Sequence, residues 1–220
     1  MKKNNLAILI PALNEENTIE NVVINALKIG KPIVIDDGST DSTSELAYKS
    51  GAYVLVNKFN NGYESALSYG MQESIKLGFD FVLTMDADGQ HSIESAELLI
   101  KNMKKDFDII IGVRNNKQRI IESFAGLIGK LLWNIDDPFS GLKLYRLSTC
   151  SKIGKFDTLN LIGSEMMMRG ILLGLKIVTV DIEVLPRADK SRFGNLLKIN
   201  IKLLRAIIIL ILIYYGHIAI

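Results

Sequence analysis

The sequence predicts an α/β fold, a mostly parallel twisted sheet flanked by helices, and three observations carry that expectation. Short apolar runs alternate with segments of helical period along the first half of the chain, which is the pattern of βαβ units. The run Ile109-Ile110-Ile111 has no polar alternation, as suits a strand covered on both faces. Segments carrying acidic and turn-forming residues follow three of the runs, at 11–15, 36–41 and 86–90. In open α/β sheets ligands bind beyond the carboxyl ends of the strands, so these three segments mark a site.

Taken in order, Leu6-Ala7-Ile8-Leu9-Ile10 reads as the first strand. Residues 14–28 place Ile19, Val22, Val23, Ala26 and Leu27 on one helical stripe. Pro32 introduces the strand Ile33-Val34-Ile35. Asp41 or Ser42 is placed to cap a helix through Tyr48, with Glu45 in its first turn. A strand at 53–56, a helix at 64–77, a strand at 81–85 and a helix at 93–103 follow. The second half predicts a helix at 120–133, a loop Asp136-Asp137-Pro138-Phe139-Ser140-Gly141, a helix at 163–173 and a strand at 176–184. With no repeat and no low-complexity linker, the expectation is one catalytic-sized domain over 1–194 and a distinct tail over 195–220.

Composition narrows the function. The chain has 220 residues and a formal net charge of +2, which argues against nucleic acid as a partner. From Arg187 onward stand six basic residues (Arg187, Lys190, Arg192, Lys198, Lys202, Arg205) and one acidic, Asp189, so positive charge is concentrated at that end. A single cysteine, Cys150, allows no internal disulfide, suits a reducing compartment and reads as a small core residue. No Cys/His cluster of zinc-site spacing occurs. The basic start Met1-Lys2-Lys3-Asn4-Asn5 lacks the cleavage pattern of a signal peptide, and the apolar run behind it reads as a strand.

Met85-Asp86-Ala87-Asp88-Gly89-Gln90-His91 is the most informative segment. If the strand continues in extended form, alternation turns Asp86, Asp88 and Gln90 to one side. Such hard oxygen ligands suit Mg²⁺ or Mn²⁺, which keep positions open for substrate phosphates; a solvated Asp-Gly turn is the plainer alternative. In Ile35-Asp36-Asp37-Gly38-Ser39-Thr40-Asp41 a carboxylate at a strand end can accept a nucleobase N–H. A tight turn with an N-cap serves that segment equally well.

Together, Pro11-Ala12-Leu13-Asn14-Glu15-Glu16, Asp36 to Asp41, Asp86 to His91, Gly112-Val113-Arg114 and Ser140-Gly141-Leu142-Lys143 resemble the family 2 glycosyltransferases. These are inverting enzymes with the GT-A nucleotide-diphosphosugar fold, and the resemblance spans roughly residues 5–194. The subgroup it is most similar to is the dolichol- or polyprenol-phosphate hexosyltransferases. The resemblance implies that Pro11, Leu13, Glu15, Asp36, Asp37, Asp86 and Ala87 meet the nucleotide sugar. It implies that Asp86, Asp88 and Gln90 hold Mg²⁺ or Mn²⁺, and that Arg114, Arg187, Ser140, Lys143, Ser191 and Arg192 meet the diphosphate or the acceptor phosphate. Three departures stand out: Asp189-Lys190-Ser191-Arg192 for the usual Gly-x-Ser-Lys, Leu142-Lys143 for Phe/Tyr-Arg, and Tyr63-Glu64 after Asn60-Asn61-Gly62.

A sugar hydroxyl acceptor requires a general base, and Glu165 in Gly163-Ser164-Glu165-Met166 is the candidate, with an ion pair to a nearby Arg as its structural alternative. A lipid phosphate is already anionic and requires none. His91 reads as a support for the metal turn. The expected reaction is therefore hexose transfer from a nucleotide diphosphate sugar to a polyprenyl phosphate, with catalytic roles for Asp88, Arg114, Glu165 and Arg187. A transferase acting on a glycan hydroxyl and a non-catalytic nucleotide-sugar-binding module are the alternatives.

In the tail, Asn195, Lys198, Lys202 and Arg205 share a helical face, and an apolar stretch over 206–220 follows. Such a segment is expected to lie on an anionic membrane surface, at the cytoplasmic face. Its fifteen uncharged residues make a helix of roughly 22 Å, short of the roughly 30 Å hydrocarbon core. A core helix, a homo-oligomer interface or a separate membrane-protein partner are the alternatives for so apolar an end.

Overall fold

A computed structural model describes residues 5–104, 106–117, 119–153, 159–186 and 196–219. Its strands are β1 (Leu6–Ala12), β2 (Lys31–Asp36), β3 (Tyr53–Val56), β4 (Phe81–Thr84), β5 (Ile109–Arg114), β6 (Lys143–Arg146) and β7 (Ile177–Ile182). The helices are α1 (Ile19–Ala26), α2 (Thr43–Lys49), α3 (Tyr63–Lys76), α4 (Ile93–Lys101), α5 (Ile120–Trp133), α6 (Leu147–Ile153), α7 (Glu165–Leu172) and α8 (Leu196–Tyr214). The strands form one sheet in the order β3-β2-β1-β4-β6-β5-β7. All neighbours are parallel except β6, which runs antiparallel to β4 and β5.

Alternation along buried strands divides the core. Leu9, Ile33 and Ile35 face one apolar layer with Leu67 and Met71 of α3. Ile8, Ile10 and Val34 face the other with Ile19 and Val23 of α1 and Leu99 of α4. Successive side chains on a strand point to opposite faces, so these apolar runs serve two layers at once. Between β1 and β4 the chain order reverses, and pairing of these two strands ends at Leu9 and Thr84. Pro11, which has no N–H to give, lies just past that point. The sheet thus opens a crevice where the chemically dense segments emerge.

The helix expected over 14–28 starts only at Ile19. Distant side chains hold the preceding backbone instead: the Asn14 N–H donates to Ser39 Oγ (2.8 Å) and the Glu15 N–H to Thr43 Oγ1 (2.7 Å). The strand around Ile109 continues to Arg114, which carries that guanidinium to the crevice.

The boundary expected at residue 194 does not separate a tail from the core. Leu203, Ala206, Ile207, Leu210 and Ile213 of α8 are buried in the same layer as Leu9 and Ile33. Their three- and four-residue spacing gives α8 one inward stripe, which packs on α5 and α7. Trp133 and Tyr214 meet edge to face at 6.2 Å. Among the described residues no helix is long and apolar enough to cross a membrane.

Candidate active site

The crevice widens into a cavity of about 540 Å³, within the range of small-ligand sites. Pro11, Leu13 and Glu15 from the end of β1 line it, with Asp37 beyond β2 and Asp86, Ala87, Asp88, Gln90 and His91 beyond β4. Thr18 Oγ1 donates to the Ala87 carbonyl at 2.8 Å, tying the turn after β4 to the segment after β1.

Asp86 is held from several sides. The Tyr63 hydroxyl donates to its Oδ1 at 3.2 Å. Burial, and then the Asp86 charge, raise the Tyr63 pKa well above its ordinary value, so the phenol stays a donor. The Asp86 N–H donates to His91 Nδ1 at 3.1 Å, which requires the proton on Nε2, 3.8 Å from Asp86 Oδ2. His91 thus supports the turn. Gly141 lies against the same carboxylate: a Cβ there would stand 2.5 Å from Asp86 Oδ2.

The expectation that extended backbone gathers Asp86, Asp88 and Gln90 is corrected. The chain turns at 87–89, with Gly89 at φ 75°. Asp88 Oδ1 accepts the Gln90 N–H at 3.1 Å, and the Gln90 side-chain amide points to the Leu185 carbonyl at 3.4 Å. Among the described residues no group of three His, Cys, Asp or Glu side chains could hold a metal ion. Two carboxylates, Asp86 and Asp88, nevertheless reach one cavity. That set fits Mg²⁺ or Mn²⁺, which commonly take one or two protein carboxylates and fill the remaining positions with phosphate oxygens and water.

The adjacent acids after β2 divide their work. Asp37 lines the cavity; its Oδ1 accepts from Asn57 Nδ2 (2.9 Å) and the Asn61 N–H (3.0 Å), and its Oδ2 from the Gly62 N–H (2.7 Å). Asp36, expected beside it at the nucleotide, is buried and turned into the loop. It accepts from the Ser39 N–H at 2.8 Å and from the Ser44 hydroxyl. Gly38 lets this loop close on the next, since a Cβ would meet the Phe59 carbonyl carbon at 2.9 Å and φ is +83°.

Arg114 lines the cavity but is already gripped. Its Nε and Nη2 meet Asp137 at 2.7 and 3.0 Å, and Nη1 lies 3.7 Å from Glu122. Burial alone would lower its pKa, but Asp137, then Glu122 and Asp86, raise it. Three further expectations are corrected. Ser140 is buried and its Oγ accepts the Leu142 N–H at 3.3 Å. Lys143 is buried and donates to the Gly163 carbonyl at 3.0 Å. Glu165 is fully buried; its Oε1 holds Arg169 at 2.7 Å and its Oε2 accepts the Leu159 N–H at 2.9 Å. None of these three side chains lines the cavity. Arg187, Ser191 and Arg192 lie outside the described residues.

Sequence reasoning missed the far wall. Tyr63 and Glu64 open α3, Arg119 and Glu122 open α5, and Ile199, Lys202 and Leu203 come from α8. Glu64 Oε1 accepts the Ile162 N–H at 3.0 Å and pairs with Lys202 at 3.3 Å. Arg119 Nη1 donates to Glu122 Oε1 at 2.8 Å. The only sequence signal was the unusual Tyr63-Glu64 pair; nothing local marked Lys202.

The model of glycosyl transferase family 2 matches residues 7–156 of the chain. An uncharacterized protein of Methanocaldococcus jannaschii, MJ1222, is 29% identical over 203 residues, covering 84% of this chain and 83% of its own. An undecaprenyl-phosphate 4-deoxy-4-formamido-L-arabinose transferase of Pectobacterium atrosepticum is 34% identical over 128 residues, 52% of this chain and 38% of that relative. Among solved structures, glucosyl-3-phosphoglycerate synthase from Mycobacterium tuberculosis, in complex with Mn²⁺, UDP and glucosyl-3-phosphoglycerate, superposes with a TM-score of 0.78 at 21% identity. The match covers 98% of this chain and 81% of the other. That likeness shows the GT-A fold.

Proposed function

The chain belongs to glycosyl transferase family 2, and from that premise we propose that it moves a hexose, with inversion, from a nucleotide diphosphate sugar to a polyprenyl phosphate at a membrane surface. Mg²⁺ or Mn²⁺ would bind at Asp86 and Asp88. The carrying observation is the far wall of the cavity, where α8 sets Lys202, paired with Glu64 at 3.3 Å, beside Ile199 and Leu203. An anionic head on an apolar chain is the acceptor that matches such a wall. The relative named for undecaprenyl phosphate supports that acceptor, and the neighbour crystallised with Mn²⁺ and UDP supports the donor and the cation alone.

In this reading Pro11, Leu13 and Asp37 receive the nucleoside, and Asp86 and Asp88 would hold the cation beside the diphosphate. When bound, that cation neutralises charge growing on the departing nucleoside diphosphate. Arg119 and Arg114, each paired with a carboxylate, place guanidinium groups beside the same region. Lys202, exchanging its contact with Glu64, holds the acceptor phosphate, whose oxygen attacks the anomeric carbon from the face opposite the leaving diphosphate. That nucleophile is anionic near neutral pH, so no side chain has to take its proton. Glu165, buried outside the cavity, is not placed to serve as the base that a hydroxyl acceptor would need.

Steady-state kinetics of Lys202→Gln with a short-chain polyprenyl phosphate test the reading. The KM for the acceptor is expected to rise about tenfold or more, the loss of one charge-assisted contact, with the donor KM within twofold. An unchanged acceptor KM, or no transfer to polyprenyl phosphate from any donor, overturns the proposal.

A further inference from the structure

The outward face of α5 is apolar, although nothing in the described structure covers it. Ile120, Phe124, Leu127 and Leu131 are 91%, 50%, 56% and 74% exposed. Their spacing of four, three and four places them on one side of the helix. The opposite side, Ala125, Gly126, Gly129 and Trp133, is buried. A helix apolar on both sides is ordinarily enclosed, and a row of large exposed side chains marks a contact. The neighbouring helix repeats the pattern: Ile201, Leu204 and Ile208 of α8 are exposed while Leu203, Ile207 and Leu210 face the core.

Charge and position point to one occupant. Glu122 is the only acid on either helix, and it is buried. Lys130, Lys198 and Arg205 are exposed on them, and Asp136, just past α5, is paired with Lys130 at 3.1 Å. Two helices with exposed leucines, isoleucines and basic groups but no exposed acid suit an anionic bilayer surface. The helices pack on each other, and the N-terminal turns of each reach the cavity wall, through Glu122 and through Ile199 and Lys202.

We infer that α5 and α8 together form the membrane-contacting face, both lying in the plane of the lipid headgroups with the cavity mouth at their shared end. An acceptor lipid would then reach Lys202 past the shared end of the helices without crossing water. The inference rests on the membrane-surface reading above, but not on the identity of the acceptor, because lipid contact can be measured without turnover.

The test is sedimentation of the full chain with vesicles of phosphatidylcholine and phosphatidylglycerol in equal parts, alongside sedimentation velocity without lipid. Phe124→Ser and Leu131→Glu change exposed side chains and leave the core intact; Tyr48→Ser, at an exposed site on α2, is the control. Each α5 variant is expected to lower the vesicle partition coefficient about tenfold, the loss of roughly half a buried apolar side chain, while the control binds as wild type. Both variants should also keep the affinity of the parent for the free nucleoside diphosphate. If wild type binds vesicles and the α5 variants bind equally well, the inference fails and the membrane reading survives. If wild type does not bind these vesicles, both fail. If wild type is a dimer that Leu131→Glu splits, the face is a self-interface and the inference is overturned.

Discussion

Gly141→Ala isolates the geometry on which the proposed metal site depends. The backbone at Gly141 is not in the left-handed region, so alanine adds no conformational strain, only a methyl group. That methyl would stand 2.5 Å from Asp86 Oδ2 and 2.9 Å from Oδ1, where ordinary contact begins at 3.4 Å. The carboxylate must therefore retreat by about 0.9 Å, or the loop carrying Ser140 must move. Ligand distances in metal sites tolerate only about 0.2 Å, and disturbing a group that orients a ligand commonly costs roughly 10–100-fold in metal affinity. Overpacking costs about 1–3 kcal/mol of stability, so the variant should still fold. Mn²⁺ affinity, read by electron paramagnetic resonance with and without nucleoside diphosphate, should fall roughly 10–100-fold, while the far-UV spectrum and cooperative melting persist. Affinity within twofold of wild type in a folded variant would refute the placement of Asp86 as a ligand.

Other outcomes follow from the same contacts. Asp88→Asn should abolish transfer and weaken donor binding, because an amide cannot replace a charged oxygen ligand; near-normal activity with saturating Mn²⁺ would count against it. Glu165→Gln should keep substantial turnover, yet chemical denaturation should show about 3–5 kcal/mol of lost stability, since it breaks a buried pair with Arg169. A rate loss of roughly a thousandfold in the folded variant would instead indicate a general base. Deleting residues 206–220 should prevent folding, because it strips Ile207, Leu210 and Ile213 from the core at about 2–4 kcal/mol each, against a total stability of about 5–15 kcal/mol. A soluble truncated protein with a cooperative melt would show that α8 is dispensable. Burial pushes the Cys150 thiol up to about 12, so at pH 8 it should resist thiol reagents until denaturant is added.

The strands were legible because Ile8, Leu9 and Ile10, or Ile109 to Ile111, are apolar whichever face they turn to, and that is a local property. Pro11, Asp37, Asp86 and Asp88 were legible because motifs sit at strand ends, which the topology brings to one crevice. Asp36 and Asp37 were not separable, because which of two neighbours points into a loop depends on Ser39 and Ser44 donating to Asp36. Ser140, Lys143 and Glu165 carried polar side chains that read as functional. Their burial is decided by partners such as Gly163 and Arg169, outside any local pattern. Lys202 was read as a surface charge, yet it meets Glu64 across 138 residues of sequence. The apolar end suggested an appended anchor; the spacing of Leu203, Ile207 and Leu210 instead folds it onto the domain.

The most direct measurement is the mass of the product. Purified full-length protein would be incubated with Mn²⁺, a panel of uridine and guanosine diphosphate hexoses, and a short-chain polyprenyl phosphate beside the matching polyprenol and a glycan hydroxyl acceptor. The account predicts a single new lipid heavier than the polyprenyl phosphate by one hexose residue, absent with EDTA and absent with the polyprenol. Transfer to the hydroxyl acceptors with the phosphate left untouched would contradict it.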